Sequence, residues 1–239
     1  MNKLVLITGA ARRVGKYLSQ YFAEKGYNVL IHVNTSVDEG EVLASELSAK
    51  YPKQEFNVIQ FDLSQWKEAE DFIRKVYNQF GLPDVIIHNA SHYLSNKLEE
   101  TTVANMENMM AIHLFTPMVF DREFRKQNGK GAVISILDAA IYTNRSTHAM
   151  YLLAKKSLAD YTKMAALEWA PHVRVNGIAL GPVLPVEGKG EDVFNKVVAT
   201  TPLKSQVQLT SISATINYVL TNKNMTGQII NCDSGQHLV

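Results

Sequence analysis

A single cysteine, Cys232, in 239 residues excludes an internal disulfide framework and fits a reducing compartment. The net charge is only +1, so no strong field points to nucleic acid or to a membrane surface. No apolar run approaches the roughly 18 residues of a membrane span. The opening MNKLVLITGAARR is too short in apolar residues before Gly9 for a secretory signal. Without such a signal, the Asn-x-Ser/Thr triplets at Asn34, Asn144 and Asn224 carry no meaning. Repeats, low-complexity segments and Pro/Gly-rich linkers are lacking as well. The expectation is one cytoplasmic domain over 1–239, with no nucleic-acid, membrane or metal partner.

What is present is alternation. Apolar, β-branched runs at 3–8, 27–33, 56–61, 84–88, 132–137, 173–179 and 228–231 read as strands. Between them lie helical patterns. Val14, Tyr17, Leu18, Tyr21 and Phe22 recur at helical spacing, and Gly26 supplies the stop. Helices are also read at 37–51, where Ser36 and Glu39 form a capping box, and at 66–80. A long helix is expected over 102–127, another over Ala149–Trp169, and shorter ones near 192–199 and 211–221. Strands that alternate with helices predict an α/β fold: a Rossmann-type, doubly wound parallel sheet of about seven strands, helices on both faces. Ligands then bind past the strand C-termini, where strand order switches. The glycines and charges of 185–204 suggest a lid over that opening.

Gly9 and Gly15 bracket the first strand-to-helix turn, where a helix N-terminus offers free N–H groups to a pyrophosphate. Arg12 and Arg13 lie inside this loop and suit phosphate oxygens. At the end of the second strand, Asn34, Thr35 and Ser36 offer donors and no carboxylate. An NAD site normally places an acid there, so NADPH is the expected cofactor, with the nearby Asp38 as the point against it. Asp62, ending the third strand, could accept from the adenine amino group or cap the next helix.

Tyr151 and Lys155 are four apart on a helix, so phenol and ammonium share a face. The lysine charge is expected to lower the tyrosine pKa and make the phenol a proton donor near neutrality. Asp138 ends the fifth strand, thirteen residues before Tyr151. These three are the candidate catalytic residues.

TGAARRVG at 8–15, Asp62-Leu63, HNAS at 88–91, the Tyr151/Lys155 pair, VRVNGIALGPV at 173–183 and TGQIINCDSG at 226–235 together resemble the short-chain dehydrogenase/reductase family almost end to end. The resemblance implies cofactor contacts at Gly9, Arg12, Arg13, Val14, Asp62, Leu63, Asn89, Ala90, Ser91, Tyr151, Lys155, Gly181 and Val183, beside Asn34, Thr35 and Ser36. Three departures are similar to the pteridine and dihydromonapterin reductase branch. Asp138 replaces the usual serine, Arg13 replaces the middle loop glycine, and Tyr93 follows Ser91. That branch implies a pterin held by Arg13, Ser91, Tyr93, Asp138 and Tyr151, with the Tyr93 ring stacking it on the nicotinamide. It also implies a homo-oligomer, dimer or tetramer. His113 stands where most of the family has a relay asparagine; it takes that role or is a packed core residue. Leu180-Gly181 replaces the family's Pro-Gly.

The expected activity is NADPH-dependent reduction of dihydropterins (dihydromonapterin, dihydrofolate or dihydrobiopterin) to tetrahydro forms. A carbonyl or 3-oxoacyl-carrier-protein reductase is the alternative. It needs Ser135, sixteen residues before Tyr151, to replace the missing serine. A non-catalytic dinucleotide-binding protein is the third reading.

Overall fold

The computed structural model describes residues 2–93, 97–188 and 190–239. Lys189, within the expected lid, lies outside the described residues. Seven strands form one sheet: β1 (Leu4–Ile7), β2 (Asn28–Val33), β3 (Phe56–Gln60), β4 (Val85–His88), β5 (Gly131–Asp138), β6 (Val173–Leu180) and β7 (Ile229–Cys232). Their order is β3-β2-β1-β4-β5-β6-β7, and every pairing is parallel. The order reverses at β1, which pairs with β2 on one side and β4 on the other. The crevice therefore opens above the C-terminal end of β1.

Alternation along the strands feeds both faces. Val5 and Ile7 pack with Leu18 and Phe22 of α1 (Arg13–Glu24), Leu43 of α2 (Val37–Lys50) and Ile212 of α8 (Leu209–Thr221). Leu6 packs on the opposite face with Ile73 of α3 (Ala69–Phe80), Phe120 and Phe124 of α5 (Thr116–Lys126) and Ala165 of α6 (Ala149–Trp169). A sheet covered on both sides needs strands that are apolar throughout, which explains the unbroken runs in the sequence. Among the described residues, no helix is long and apolar enough to cross a membrane.

The helix ends show where local rules held. Gly26 has φ +84°; its N–H donates to the Ala23 carbonyl, and Tyr27 N–H donates to Phe22, both at 3.0 Å. That is the paired bonding of a glycine-terminated helix. The capping box at Ser36 does not form: Ser36 precedes α2 but its side chain makes no cap hydrogen bond. α3 begins at Ala69, three residues later than expected, because the chain after β3 first makes a turn in which Ser64 N–H donates to Asp62 Oδ1 at 2.9 Å.

The expected 102–127 helix is interrupted. α4 (Val103–Met110) passes through a π turn, Ala111–Phe115, before α5 begins. Pro117 explains the break: it has no N–H to donate back to the carbonyl of His113, so regular pairing cannot continue across it. Such π turns recur at functional sites, and this one carries His113. Beyond β6, a loop leads to α7 (Glu191–Thr200), a helix with no buried residue.

Candidate active site

Above the sheet switch lies a cleft of about 940 Å³. Every site residue named from the sequence lines it, from Gly9 at one end to Tyr93 at the other.

At the first turn, Gly9 adopts φ +62° and Gly15 admits no side chain, since a Cβ there would fall 1.9 Å from the Gly9 carbonyl. The loop is braced from β4. Asn89 Nδ2 donates to the carbonyls of Thr8 and Gly9 at 2.9 and 3.0 Å, and the Asn89 and Ala90 amides both donate to Thr8 Oγ1 at 3.0 Å. Arg13 takes the left-handed backbone, φ +51°. Holding a non-glycine residue there costs about 1–3 kcal/mol and concentrates at functional positions. Asn34, Thr35 and Ser36 line the same end, whereas Asp38 and Glu39 do not.

At the other end, the Tyr151 phenol donates to Asp138 Oδ2 at 2.9 Å. The second oxygen, Oδ1, accepts from Ala140 N–H at 2.7 Å, so the carboxylate both caps the turn after β5 and faces the phenol. Lys155, 2 % exposed, donates to the Ile136 carbonyl at 2.7 Å, and its Nζ lies 6.0 Å from the centre of the Tyr151 ring. Burial lowers the Lys155 pKa from 10.5 to about 8, with Asp138 opposing.

The tyrosine shift runs opposite to the expectation. Burial first, then the Asp138 charge and hydrogen bond, raise the Tyr151 pKa well above its ordinary value, while a hydrogen bond with Ser91 works the other way. A lysine four residues along predicts phenolate; a carboxylate at hydrogen-bond distance holds the proton on the phenol.

Aromatic rings enclose this end. Tyr93 stacks on His148 at 4.4 Å and 27°, and meets Tyr151 edge-on at 4.9 Å and 75°. His113 is buried and packs edge-on against Tyr151 at 5.3 Å. Its Nε2 donates to the His92 carbonyl at 3.0 Å, and its Nδ1 has no hydrogen-bond partner among the described residues. Burial, then the nearby Lys155 charge, lower its pKa to about 3, so it is a neutral ring at physiological pH.

This arrangement can hold an extended dinucleotide along the strand ends and a flat ring against Tyr93, with one phenolic proton at their junction. The family description "short chain dehydrogenase" matches residues 3–196. The chain belongs to the short-chain dehydrogenase family. It is an oxidoreductase. Among solved structures, it is similar to an alternative dihydrofolate reductase, FolM, of Brucella canis complexed with NADP. The identity is 33 %, the TM-score 0.91, and the match covers 100 % of this chain and 95 % of that one. The corresponding Brucella suis protein, also with NADP, matches at 32 % identity and TM-score 0.89, over 99 % and 96 %. Among curated proteins, a 3-oxoacyl-[acyl-carrier-protein] reductase of Staphylococcus epidermidis is 27 % identical over 100 % of both chains.

Several cleft residues of this short-chain dehydrogenase escaped the sequence reading. Arg145 and His148 line the substrate end, and lie within the 138–155 stretch that carries the candidate catalytic residues. Val193, Phe194 and Val197, not named singly but inside the 185–204 stretch expected as a lid, line the cleft from α7. Glu187 reaches the phosphate loop: Arg12 binds its carboxylate at 2.6 Å, and Arg13 lies 3.9 Å from the same oxygen while donating to the Pro185 carbonyl at 2.6 Å. The sequence separation of 175 positions hides that contact from any local pattern.

Proposed function

We propose that this short-chain dehydrogenase uses NADPH to reduce 7,8-dihydropterins to their tetrahydro forms. The observation that carries the reading is the hydrogen bond from Tyr151 to a carboxylate, Asp138, where a ketone-reducing site would present a hydroxyl. A carboxylate repels a developing alkoxide but binds ring N–H groups of a heterocycle. The resemblance to two NADP-bound alternative dihydrofolate reductases supports it.

The residues fit NADPH. Gly9 and Gly15 allow close approach to a pyrophosphate, and Asn34, Thr35 and Ser36 offer donors to a 2′-phosphate, while Asp38 and Glu39, the acids that follow them, do not line the cleft. When bound, the reduced nicotinamide would supply the hydride taken up at C6 of the pterin C6=N5 bond. Tyr151 then gives its proton to N5: its O–H bond breaks as N5–H forms. Substrate N–H groups that take Asp138 Oδ2 remove the interactions that hold the phenol proton most tightly after burial, so binding itself makes Tyr151 a stronger acid. Lys155, as a cation, stabilises the phenolate left behind. Tyr93 and Ser91 position the ring, and Arg13 reaches both pterin and phosphate. The π-turn His113, neutral and against Tyr151, supports the phenol from behind.

The assay is NADPH oxidation with dihydropterins beside a panel of ketones and 3-oxoacyl thioesters. Turnover of dihydropterins supports the proposal; turnover of ketones alone overturns it. Ser135 argues against the thioester reading, because it is fully buried in β5 and its hydroxyl accepts from Thr162 at 3.3 Å, away from the cleft.

Lys155 sets a pH limb. Its charge is lost above a pKa of about 8, so kcat/KM for the free enzyme is expected to fall as pH rises past that value. The unfolded chain, with lysine near 10.5, binds more protons between the two values, so this group makes stability rise with pH there. The stability difference between the unaltered protein and Lys155→Met should therefore grow with pH over that range while kcat/KM of the unaltered protein falls; a difference that shrank would contradict the assignment.

Glu187 competes with bound anions for Arg12. The pair is half exposed, 51 % and 59 %, and such pairs are worth at most about 1 kcal/mol. Glu187→Gln is expected to tighten NADPH binding by about two- to fivefold in a fluorescence titration. Weaker binding would mean that Glu187 closes the lid over the cofactor instead.

Exposed Val103, Met106, Met118 and Met164 on α4, α5 and α6 support a homo-oligomer, dimer or tetramer. Light scattering should give a multiple of 26.7 kDa, and a monomer would contradict it.

A further inference from the structure

His32 is 1 % exposed on β2, a strand whose Val29, Leu30, Ile31 and Val33 are all buried and apolar. An imidazole buried among such neighbours needs partners for both nitrogens. Nε2 lies 3.1 Å from the Phe61 carbonyl oxygen. A carbonyl only accepts, so Nε2 carries the hydrogen and Nδ1 carries the lone pair. The Gly9 N–H donates to that lone pair at 3.2 Å. The two contacts fix the tautomer, and burial keeps the ring neutral by lowering its pKa to about 4. The backbone of the same residue takes the next amide of the turn: Ala10 N–H donates to the His32 carbonyl at 2.9 Å.

Gly9 is thus held on several sides. Asn89 takes its carbonyl, His32 takes its N–H, and Ala90 packs so closely that a Cβ would meet the Ala90 Cα at 3.0 Å. Phe61, the second partner of the ring, immediately precedes Asp62 and Leu63, which line the cleft. One ring therefore ties together the first turn, the end of β2 and the residues after β3, the three segments that wall the dinucleotide end.

We propose that His32 is a positioning residue for dinucleotide binding: the Phe61 carbonyl fixes its neutral Nε2–H tautomer, and the Nδ1 lone pair so presented aims the Gly9 turn at the pyrophosphate. The proposal rests on the NADPH reading above. His32 acts through Gly9 and Phe61, and its effect belongs to the part of the cofactor that NADPH and NADH share.

Two substitutions divide the ring's functions. His32→Gln keeps a donor that can reach the Phe61 carbonyl but loses the acceptor at the Nδ1 position. His32→Asn keeps an acceptor near that position but cannot reach Phe61. NADPH and NADH are titrated separately into both variants and the unaltered protein, and cofactor-free melting temperatures are recorded. The Gln variant is expected to raise both dissociation constants about tenfold, keeping their ratio within about twofold, while the Asn variant stays within about threefold. The proposal is overturned if the Gln variant binds like the unaltered protein, if the Asn variant loses as much as the Gln variant, or if NADPH alone is affected. Should the Gln variant not fold, His32→Leu, which offers neither group, takes its place beside the Asn variant. A tenfold loss in the Leu variant with near-native affinity in the Asn variant supports the proposal, and equal affinities overturn it. If the unaltered protein bound neither dinucleotide, the NADPH reading itself would fail and take this proposal with it.

Discussion

Asp138→Asn is expected to lower kcat for dihydropterin reduction by about 10²-fold or more, the range of a lost acid–base group. Asp138 has two separable contacts. Oδ1 caps the turn after β5 through Ala140 N–H, and Oδ2 takes the Tyr151 proton. Asparagine keeps an oxygen for the cap, so the turn should stand, and the melting temperature should change little. Alanine would remove the cap as well, at about 1 kcal/mol, and mix folding with chemistry. What asparagine loses is the charge that binds substrate N–H groups. It also loses the charge that raises the phenol pKa, so the phenolate absorbance of Tyr151 should appear at lower pH than in the unaltered protein. Asp138→Ser should go further and favour ketones over dihydropterins, because a hydroxyl can donate to a carbonyl oxygen. Dihydropterin turnover within about threefold of the unaltered enzyme in Asp138→Asn would show that the carboxylate has no part in the reaction.

The second large effect is Tyr151→Phe, for which kcat should fall by about 10²–10⁴-fold with little change in NADPH affinity. The phenol oxygen is the only group removed. The ring remains, and so do its edge contacts with Tyr93 and His113. Lys155 keeps its bond to the Ile136 carbonyl. The proton would then have to come from water, so residual turnover should lose the limb near pH 8 that Lys155 imposes through the phenol. Steady-state rates across pH, beside cofactor titrations, read both parts. Retention of more than about a tenth of the rate would place the proton donor elsewhere, with Asp138 as the next group to test.

Much of this was legible because the informative patterns are short-range. The pattern of the sequence places a helix over Ala149–Trp169, the bounds it has in the structure, and Tyr151 and Lys155 share a face because four residues are about one turn. Gly9 and Gly15 announced the first turn because only glycine fits both places. Seven apolar runs implied a parallel sheet, since nothing else buries both faces of every strand.

The remainder depends on tertiary distance. The π turn at Ala111–Phe115 is a pairing fault imposed by Pro117, invisible to a count of apolar spacing. The Ser36 box failed although its residue types were right, because the Ser36 side chain makes no cap bond and lines the cleft. The direction of the Tyr151 shift likewise depends on a contact that helical spacing does not show. Lys155 is nearer along the helix, but Asp138, thirteen residues back, is the one at bonding distance. Glu187 on Arg12 and His32 on Gly9 join segments that no local pattern relates.

A crystal structure with NADP and a dihydropterin bound bears most directly on the role of Asp138. The expected result is Asp138 Oδ2 within about 3.2 Å of a pterin ring nitrogen, with the Tyr151 hydroxyl turned toward N5 and the Tyr93 ring stacked on the pterin. An Asp138 that still held only Tyr151 and Ala140, with the ring bound elsewhere, would contradict the account.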